Sequence, residues 1–438
     1  MTRAASAIVA LALAVASSCS GAAAPTSAPS PSPSVAPTPA IAPPAIATPP
    51  ASSAPADPAP SASATPAVVV DPVQAPWTEA IDRIVAGQPV SVAVGVGNRI
   101  VYVHRGSHPR IPASGQKLLT SMAALELFGR GHRFPTVAAS ERRPRAGVVR
   151  GDLWLVGGGD PELGAARLGR LAASLRSSGV RRVAGSVIGD TSAFSRRWWA
   201  PGWVEGISRS YVRRPTALVF EGNLATAPEL AAATSLTASL RAAGIWVDGD
   251  PRSGIAPAHL REVASIRSAP LWDLLTRQNH GSLNLHAEVL LRAIGAAHGT
   301  VGTTAAGAEL VETWAEGAGV GADVRVRDGS GLSHGDAVSA TDLATLLLTA
   351  TGEPWGTTLE ASLPAPGQGT LRGRLAGAPI RAKTGTLFTV PCSALAGYGR
   401  DAEGRPFAFA VLSEGVAKGT SLVVEDAVIR ALIGARLA

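Results

Sequence analysis

Residues 112–128 read PASGQKLLTSMAALELF. After Pro112-Ala113, the apolar residues Leu118, Met122, Leu125 and Phe128 recur at three- and four-residue spacing, which predicts a helix with one buried face. Ser114 and Lys117 stand at its start, three residues apart and so on the same side. Backbone N–H groups at a helix N-terminus can hold a developing oxyanion beside such a serine. A lysine drawn out of water can take the serine's proton. Ser-x-x-Lys alone is a weak pattern, which any surface serine and surface lysine satisfy. The apolar neighbours Leu118 and Leu119 weigh against that bland reading, and so does the scarcity of lysine. Among 39 Lys plus Arg, only Lys117, Lys383 and Lys418 are lysine. Solvated surface charge hardly distinguishes the two residue types, but only lysine can lose its proton on burial. Lys418, beside Gly419 in a polar stretch, reads as a surface residue.

The two other chemistry-bearing segments lie far along the chain. Residues 380–387, IRAKTGTL, form an apolar strand pattern that contains Lys383-Thr384-Gly385. A lysine and a threonine at a strand edge can bind a carboxylate, and the glycine lets a ligand backbone lie close; a charge that merely blunts an edge strand is the plain alternative. Ser282-Leu283-Asn284 opens a helical stretch reaching Ala297, where an N-cap serine is the plain reading. Taken in order, Ser-x-x-Lys, Ser-x-Asn and Lys-Thr-Gly form the signature of the penicillin-recognising serine enzymes.

Around these segments the elements alternate. Ser91–His104 reads as a hairpin turning at Gly97-Asn98. Residues 150 to about 260 read as short strands between Gly/Pro turns, with Trp198, Trp199 and Trp203 among them. A helix over Thr341–Thr349 has Ser339 or Thr341 as N-cap. SALAGYG and PFAFAVLS continue the strand pattern, and a last helix spans about Val423–Leu437. Strands at both ends with helices between predict an α+β fold whose sheet joins distant parts of the chain.

Bulk properties narrow the field. The 438 residues leave room for a targeting segment, a spacer and one or two domains, and 46% hydrophobic content supplies a large core. The net charge of +7 and pI of about 10.2 suit an acidic partner such as an anionic cell wall. No compact basic run with interleaved aromatics points to nucleic acid. With only Cys19 and Cys392, and no Cys/His cluster, neither a disulfide framework, a metal site nor a cofactor is expected. Arg3 followed by an apolar run from Ala4 to Ala16 reads as a secretory signal (1–24), being shorter than the roughly 20 residues of a membrane span. Cys19 after Ala16-Ser17-Ser18 resembles a bacterial lipoprotein cleavage site, without the usual leucine three residues before it, and lipidation there would anchor the protein to a membrane. Cleavage near Ala22-Ala23-Ala24, discarding Cys19, is the alternative. Residues 25–75 are a Pro/Ala-rich extended spacer.

The motifs PASGQKLLTSMAAL, GDLWLVGGGDPEL, GSLNLHAEVLLR, VRDGSGLS, GTLRGRL and RAKTGTL resemble those of the class C low-molecular-mass penicillin-binding proteins, a family of D-alanyl-D-alanine carboxypeptidases and endopeptidases. The resemblance runs from about Val90 to the C-terminus. It implies a transpeptidase/β-lactamase-like domain, a five-stranded antiparallel sheet between helical layers, here expected from 76–144 and 264–438. A smaller domain, 145–263, is expected between the first two motifs. It also implies roles: Ser114 nucleophile, Lys117 base, Ser282 with Lys383 as proton relay, Asn284 on the substrate peptide, and Thr384 and Thr386 on its terminal carboxylate. Gly385 belongs to the same substrate-binding strand, and the N–H groups of Ser114 and Thr386 form the oxyanion hole. Peptidoglycan stem peptides are the implied substrates, β-lactams the implied inhibitors, and the outer face of the cytoplasmic membrane or the wall the implied location. Lys383 is expected to keep its positive charge and to depress the Lys117 pKa. Leu283 departs from the usual Asp or Asn, and the short step from Gly222-Asn223 into LATAPEL implies that a second inserted domain of longer relatives is missing. A β-lactamase or esterase on the same fold, or a non-catalytic wall-binding protein, are the rival readings.

Overall fold

A computed structural model describes residues 67–437 apart from Ile207, His298 and Ala322. The signal segment, Cys19 and most of the spacer lie outside the described residues. Strands β1 (Val90–Val96) and β2 (Arg99–His104) make the expected hairpin. Strands β3 (Ile380–Leu387), β4 (Cys392–Arg400) and β5 (Pro406–Glu414) follow near the C-terminus. All five lie in one antiparallel sheet in the order β2-β1-β5-β4-β3, and Val69–Val70 adds a short parallel strand beside β2. The pairing of β5 with β1 joins the two distant parts of the chain, and β3 is the free edge.

The helices that matter for the site are α1 (Gln116–Phe128), α2 (Leu271–Gly281), α3 (Asn284–Ala296), α4 (Ala340–Gly352) and α5 (Lys418–Ile433). Along β5, Ala408, Ala410 and Leu412 enter a core with Leu118 and Met122 of α1 and Leu343 and Leu347 of α4. The alternate residues Phe407, Phe409 and Val411 enter a second core with Val424, Val428 and Ile429 of α5. Both faces of the sheet are covered, so its central strands read as nearly unbroken apolar runs. The small residues on one face let α1 come close, which carries Ser114 to the edge strand.

A second, five-stranded sheet runs in the order Arg252–Gly254, Val187–Asp190, Leu153–Gly157, Pro135–Ser140, Arg261–Arg267. Helices Ala165–Ser177 and Pro228–Ala242 bury Leu168, Leu171, Leu175, Leu236 and Leu240 against it. These two helices depart from the short-strand reading of 150–260; their runs are rich in Ala, so few large apolar residues mark the buried face. Two neighbouring strands of this sheet lie at the expected boundaries 145 and 263. Pro135–Ser140 precedes residue 145, and Arg261–Arg267 crosses residue 263, yet they pair with each other in this sheet.

Two further expectations change. Ser282 does not cap α3: it sits in left-handed conformation (φ 51°, ψ 43°) at the end of α2, and Leu283 precedes the first residue of α3, Asn284. Helix α5 begins at Lys418, not near Val423, and ends at Ile433. Its first turn is exposed, so it shows no apolar periodicity.

The turn that presents Ser114 is braced by glycine. Gly331 has φ +82°, and a Cβ there would lie 1.7 Å from Ala113 O. Gly404 shares the backbone conformation (φ +78°) with nothing nearby. Both alanine variants pay the strain of a left-handed residue, about 1–3 kcal/mol, but only one meets a wall. Gly331→Ala should therefore unfold at least a few degrees below Gly404→Ala in a thermal melt; equal midpoints would show that the turn yields freely.

Candidate active site

Ser114 lies in a single 3-10 turn, Ala113–Gly115, that runs straight into α1. Its predecessor Ala113 is left-handed at φ 47°, a strained conformation for a residue with a side chain. One helical turn on, Lys117 is fully buried, and its Nζ lies 3.1 Å from Ser114 Oγ. The same amine donates to Asn284 Oδ1 at 2.7 Å and to Ser330 O at 2.6 Å. The Asp328-Gly329-Ser330-Gly331 loop, part of the quoted VRDGSGLS motif, thus supplies an acceptor to the lysine.

On the other side, Lys383 of β3 is also fully buried. Its Nζ donates to Ser282 Oγ at 3.0 Å and to Thr384 O at 2.6 Å. The left-handed backbone of Ser282 turns its hydroxyl to this lysine. Ser114, Ser282, Asn284 and Thr386 all border one cavity of about 720 Å³. The structure therefore brings together the residues of three segments that the sequence holds far apart.

Thr384 and Gly385 are placed differently from expectation. Thr384 Oγ1 donates to Thr370 Oγ1 at 2.8 Å, so it is engaged with the GTLRGRL segment. Thr386 does line the cavity, its hydroxyl donating to Gly385 O at 2.7 Å. At Gly385 a Cβ would lie 2.7 Å from Pro112 O and 3.0 Å from Ser114 N. The glycine thus lets the serine's own turn approach the strand, whereas a ligand backbone was the expected neighbour.

The two lysines are tuned by different surroundings. Burial pushes Lys117 down to about 8, and the carboxylates of Asp328, Glu288 and Asp336 oppose the fall. Burial pushes Lys383 well below its ordinary value, and the like charge of Lys117 adds to the effect. The like-charge penalty expected on Lys117 thus falls on Lys383. Behind Lys117 the carboxylates are held by backbone. Glu288 Oε1 accepts from Gly329 N at 3.0 Å and Ser330 N at 2.9 Å. Asp328 accepts from the N–H groups of residues 330–333 and from Trp203 Nε1. Burial and the Asp328 charge raise Glu288 to about 8 and Asp336 well above the usual carboxylate range. Sequence reading missed Glu288, Trp203 and Thr370. Glu288 stood within the quoted GSLNLHAEVLLR, four residues after Asn284 and so on the same helix face.

Residues 79–227 and 223–432 match the family described as D-Ala-D-Ala carboxypeptidase 3 (S13). The chain belongs to this family. It is similar to the D-alanyl-D-alanine carboxypeptidase of Actinomadura sp. (strain R39), at 31% identity over 442 residues covering 80% of this chain and 81% of the relative. It is also similar to a carboxypeptidase of Mycobacterium tuberculosis, at 32% identity over 337 residues covering 70% of this chain and 71% of the relative. In fold it resembles the crystal structure of penicillin binding protein 4 from Haemophilus influenzae: TM-score 0.72 at 22% identity, covering 83% of this chain and 100% of the other. Another structure of that protein holds a novel β-lactam. Family membership makes the chain a serine-type peptidase of the D-Ala-D-Ala carboxypeptidase kind, and its fold is the α+β arrangement expected. Among the described residues no cluster could hold a metal ion.

A base that must be neutral to act gains activity as pH rises through its pKa. With Lys117 at about 8, the acylation rate at Ser114 should climb with pH and level off above about 8. A rate that is flat from pH 6 to 9 would exclude Lys117 as the titrating base.

Proposed function

We propose that this chain is a serine D-alanyl-D-alanine carboxypeptidase/endopeptidase acting on peptidoglycan stem peptides through an acyl-enzyme. One observation carries the reading. Two buried lysine amines each lie about 3 Å from a serine hydroxyl, Lys117 from Ser114 and Lys383 from Ser282, at one cavity. A β-lactamase or esterase would share the nucleophile, but the family relatives named above are carboxypeptidases.

The neutral Lys117 amine takes the Ser114 proton as Oγ bonds to the carbonyl carbon of the penultimate D-alanine. The backbone N–H groups of Ser114 and Thr386 hold the oxyanion. As the tetrahedral species collapses, the C–N bond breaks, and a proton passes through Ser282, beside Lys383, to the departing D-alanine. Water then hydrolyses the ester and restores Ser114. Asn284 Nδ2 donates to Tyr211 O at 3.0 Å, leaving its second N–H for the substrate's peptide carbonyl. The terminal carboxylate favours the protonated form of Lys383 and accepts the hydrogen bond that the Thr386 hydroxyl otherwise gives to Gly385 O. Thr384, paired with Thr370, stands behind it. The Asp328 carboxylate stabilises the protonated Lys117 formed during attack.

The same reading extends to organisation and place. We divide the folded part into a catalytic portion, about 76–134 with 268–438, and an inserted portion, about 135–267. The apolar start and Pro-rich spacer support export, with the catalytic portion held outside the cytoplasmic membrane and Cys19 available for lipidation if the signal is cut before it. β-Lactams are the expected inhibitors.

Incubation with benzylpenicillin and mass spectrometry of the intact protein test the reading. One penicilloyl group should add to Ser114, and none to Ser114→Ala. Lys117→Arg, whose guanidinium stays charged, should acylate at least ~10²-fold more slowly. An unmodified wild-type protein, or a labelled Ser114→Ala protein, would overturn the assignment.

A further inference from the structure

Strand β3 has β4 on one side only, so its N–H groups point alternately into the sheet and out of it. Ala382 N–H points out, donating to Pro364 O at 3.1 Å. Four residues on, Thr386 N–H points out as well, into the cavity that Thr386 lines. The carbonyl of the same peptide unit belongs to Gly385. It points the opposite way, toward β4, where Gly385 stands opposite Ala394. A trans peptide unit is planar, so whatever holds this carbonyl also aims the N–H.

Two side-chain hydroxyls reach Gly385 O. Thr386 Oγ1 donates to it at 2.7 Å, and the substrate carboxylate draws that bond away. The other is Ser393, which stands opposite Thr386 on β4 with its Oγ 3.2 Å from Gly385 O. Ser393 Oγ is also 2.5 Å from Glu425 Oε1 of α5. A hydroxyl has one proton to give. It can serve Gly385 only if Glu425 brings a proton of its own.

The surroundings of Glu425 give it reason to hold one. Arg374 lies 2.9 Å from Glu425 Oε2 and reaches Asp426 Oδ1 through two nitrogens, at 3.1 and 2.6 Å. One guanidinium thus faces two carboxyl groups in a closed place, and one positive charge cannot balance both as anions. The Asp426 side chain is 18% exposed and that of Glu425 2%, so the proton belongs on Glu425. Burial raises the Glu425 carboxyl from its ordinary value, against the opposing pull of Arg374 and Ser393.

We infer that Glu425, as the neutral acid, donates to Ser393, that Ser393 donates to Gly385 O, and that this relay from α5 holds the Gly385–Thr386 peptide with its N–H aimed at the oxyanion. A bond to the carbonyl also polarises the unit and strengthens its N–H as a donor. Among the described residues that line the cavity, neither Ser393 nor Glu425 appears; both are positioning residues that act through one peptide. Arg374 lies in the GTLRGRL segment, whose Thr370 accepts from Thr384 of the same strand. One short segment therefore braces the edge strand at two points. The inference rests on the acyl-enzyme reading given above.

The test uses the full chain and benzylpenicillin, which also carries a carboxylate. Ser393→Ala, Glu425→Ala and Glu425→Gln are compared with the wild type. Glutamine keeps a donor toward Ser393 and an acceptor toward Arg374 but cannot ionise. One readout is the limiting acylation rate per labelled site at saturating penicillin, with the half-saturating concentration. The other is the infrared stretch of the penicilloyl ester carbonyl, which moves to higher wavenumber as oxyanion-hole bonds weaken. Losing a whole oxyanion donor costs ~10²–10³-fold, so misaiming one should slow Ser393→Ala and Glu425→Ala about tenfold. Their half-saturating concentration should change by less than about twofold, and their ester stretch should rise. Glu425→Gln should keep the wild-type stretch and a rate within about threefold of the wild type. Neither readout depends on the folded fraction, and if Glu425→Ala does not fold, Ser393→Ala, which lacks one oxygen atom, still decides. A wild-type rate and stretch in Ser393→Ala overturns the inference. So does a Glu425→Gln protein as impaired as Glu425→Ala, or as Ser393→Ala, because the carboxylate charge would then be what matters. If penicillin labels Ser114 in the wild type and the variants behave in these ways, only this inference fails. If the wild type is not labelled, the acyl-enzyme reading falls, and this one falls with it.

Discussion

Two lysine side chains are carried entirely out of water, and much of the architecture exists to make that tolerable. A buried ammonium without partners costs several kcal/mol, so Lys117 needs acceptors from every side. It finds them on three separate segments: the Ser114 turn, the first residue of α3, and the carbonyl of Ser330. Each segment is fixed by something else. Gly331 packs against the Ala113 carbonyl, Glu288 holds the N–H groups of Gly329 and Ser330, and Trp203 reaches Asp328 from beyond the loop. The segment that precedes Ser282 thus reaches the site through the Trp203 indole N–H and through the Tyr211 carbonyl that accepts from Asn284.

Equal burial does not give the two lysines equal proton affinity. Behind Lys117 stand three carboxylates, and Glu288 and Asp336 each keep one buried oxygen with no hydrogen-bond partner. Their field limits the fall of Lys117 to about 8. No carboxylate acts on Lys383 in this way, and Lys117 repels it. A single structural asymmetry, acids on one side of the cleft only, therefore separates a base held at about 8 from an amine that burial and Lys117 push well below its ordinary value.

The sheet and the three catalytic segments were legible because each imposes a local pattern. The apolar strands 380–387, 392–400 and 406–414 and the hairpin at Gly97-Asn98 declare themselves by composition and turn chemistry. Ser114 and Lys117 do so by helical spacing. What was hidden depended on tertiary context. Ser282 looks like an N-cap, yet only the chain's passage from α2 into α3 forces it left-handed and aims it at Lys383. Gly385 reads as room for a ligand, whereas the crowding comes from Pro112 and Ser114. The helices Ala165–Ser177 and Pro228–Ala242 were obscured by alanine, whose small side chain blurs an amphipathic stripe. Glu288 carried a visible signal, its i+4 relation to Asn284, but nothing local says that its carboxylate faces inward.

The scarcity of lysine has a practical consequence for handling the protein. Lys117 and Lys383 are sealed from solvent, while Lys418 is exposed and stacks on Phe388 at the rim of the cavity. Amine-directed dyes, biotin esters and activated resins have few other side-chain targets, so they will attach chiefly beside the entrance or at the chain's N-terminus. Immobilisation through lysine would then turn the mouth of the cleft toward the support, and a thiol or tag chemistry placed on the far sheet would leave it open.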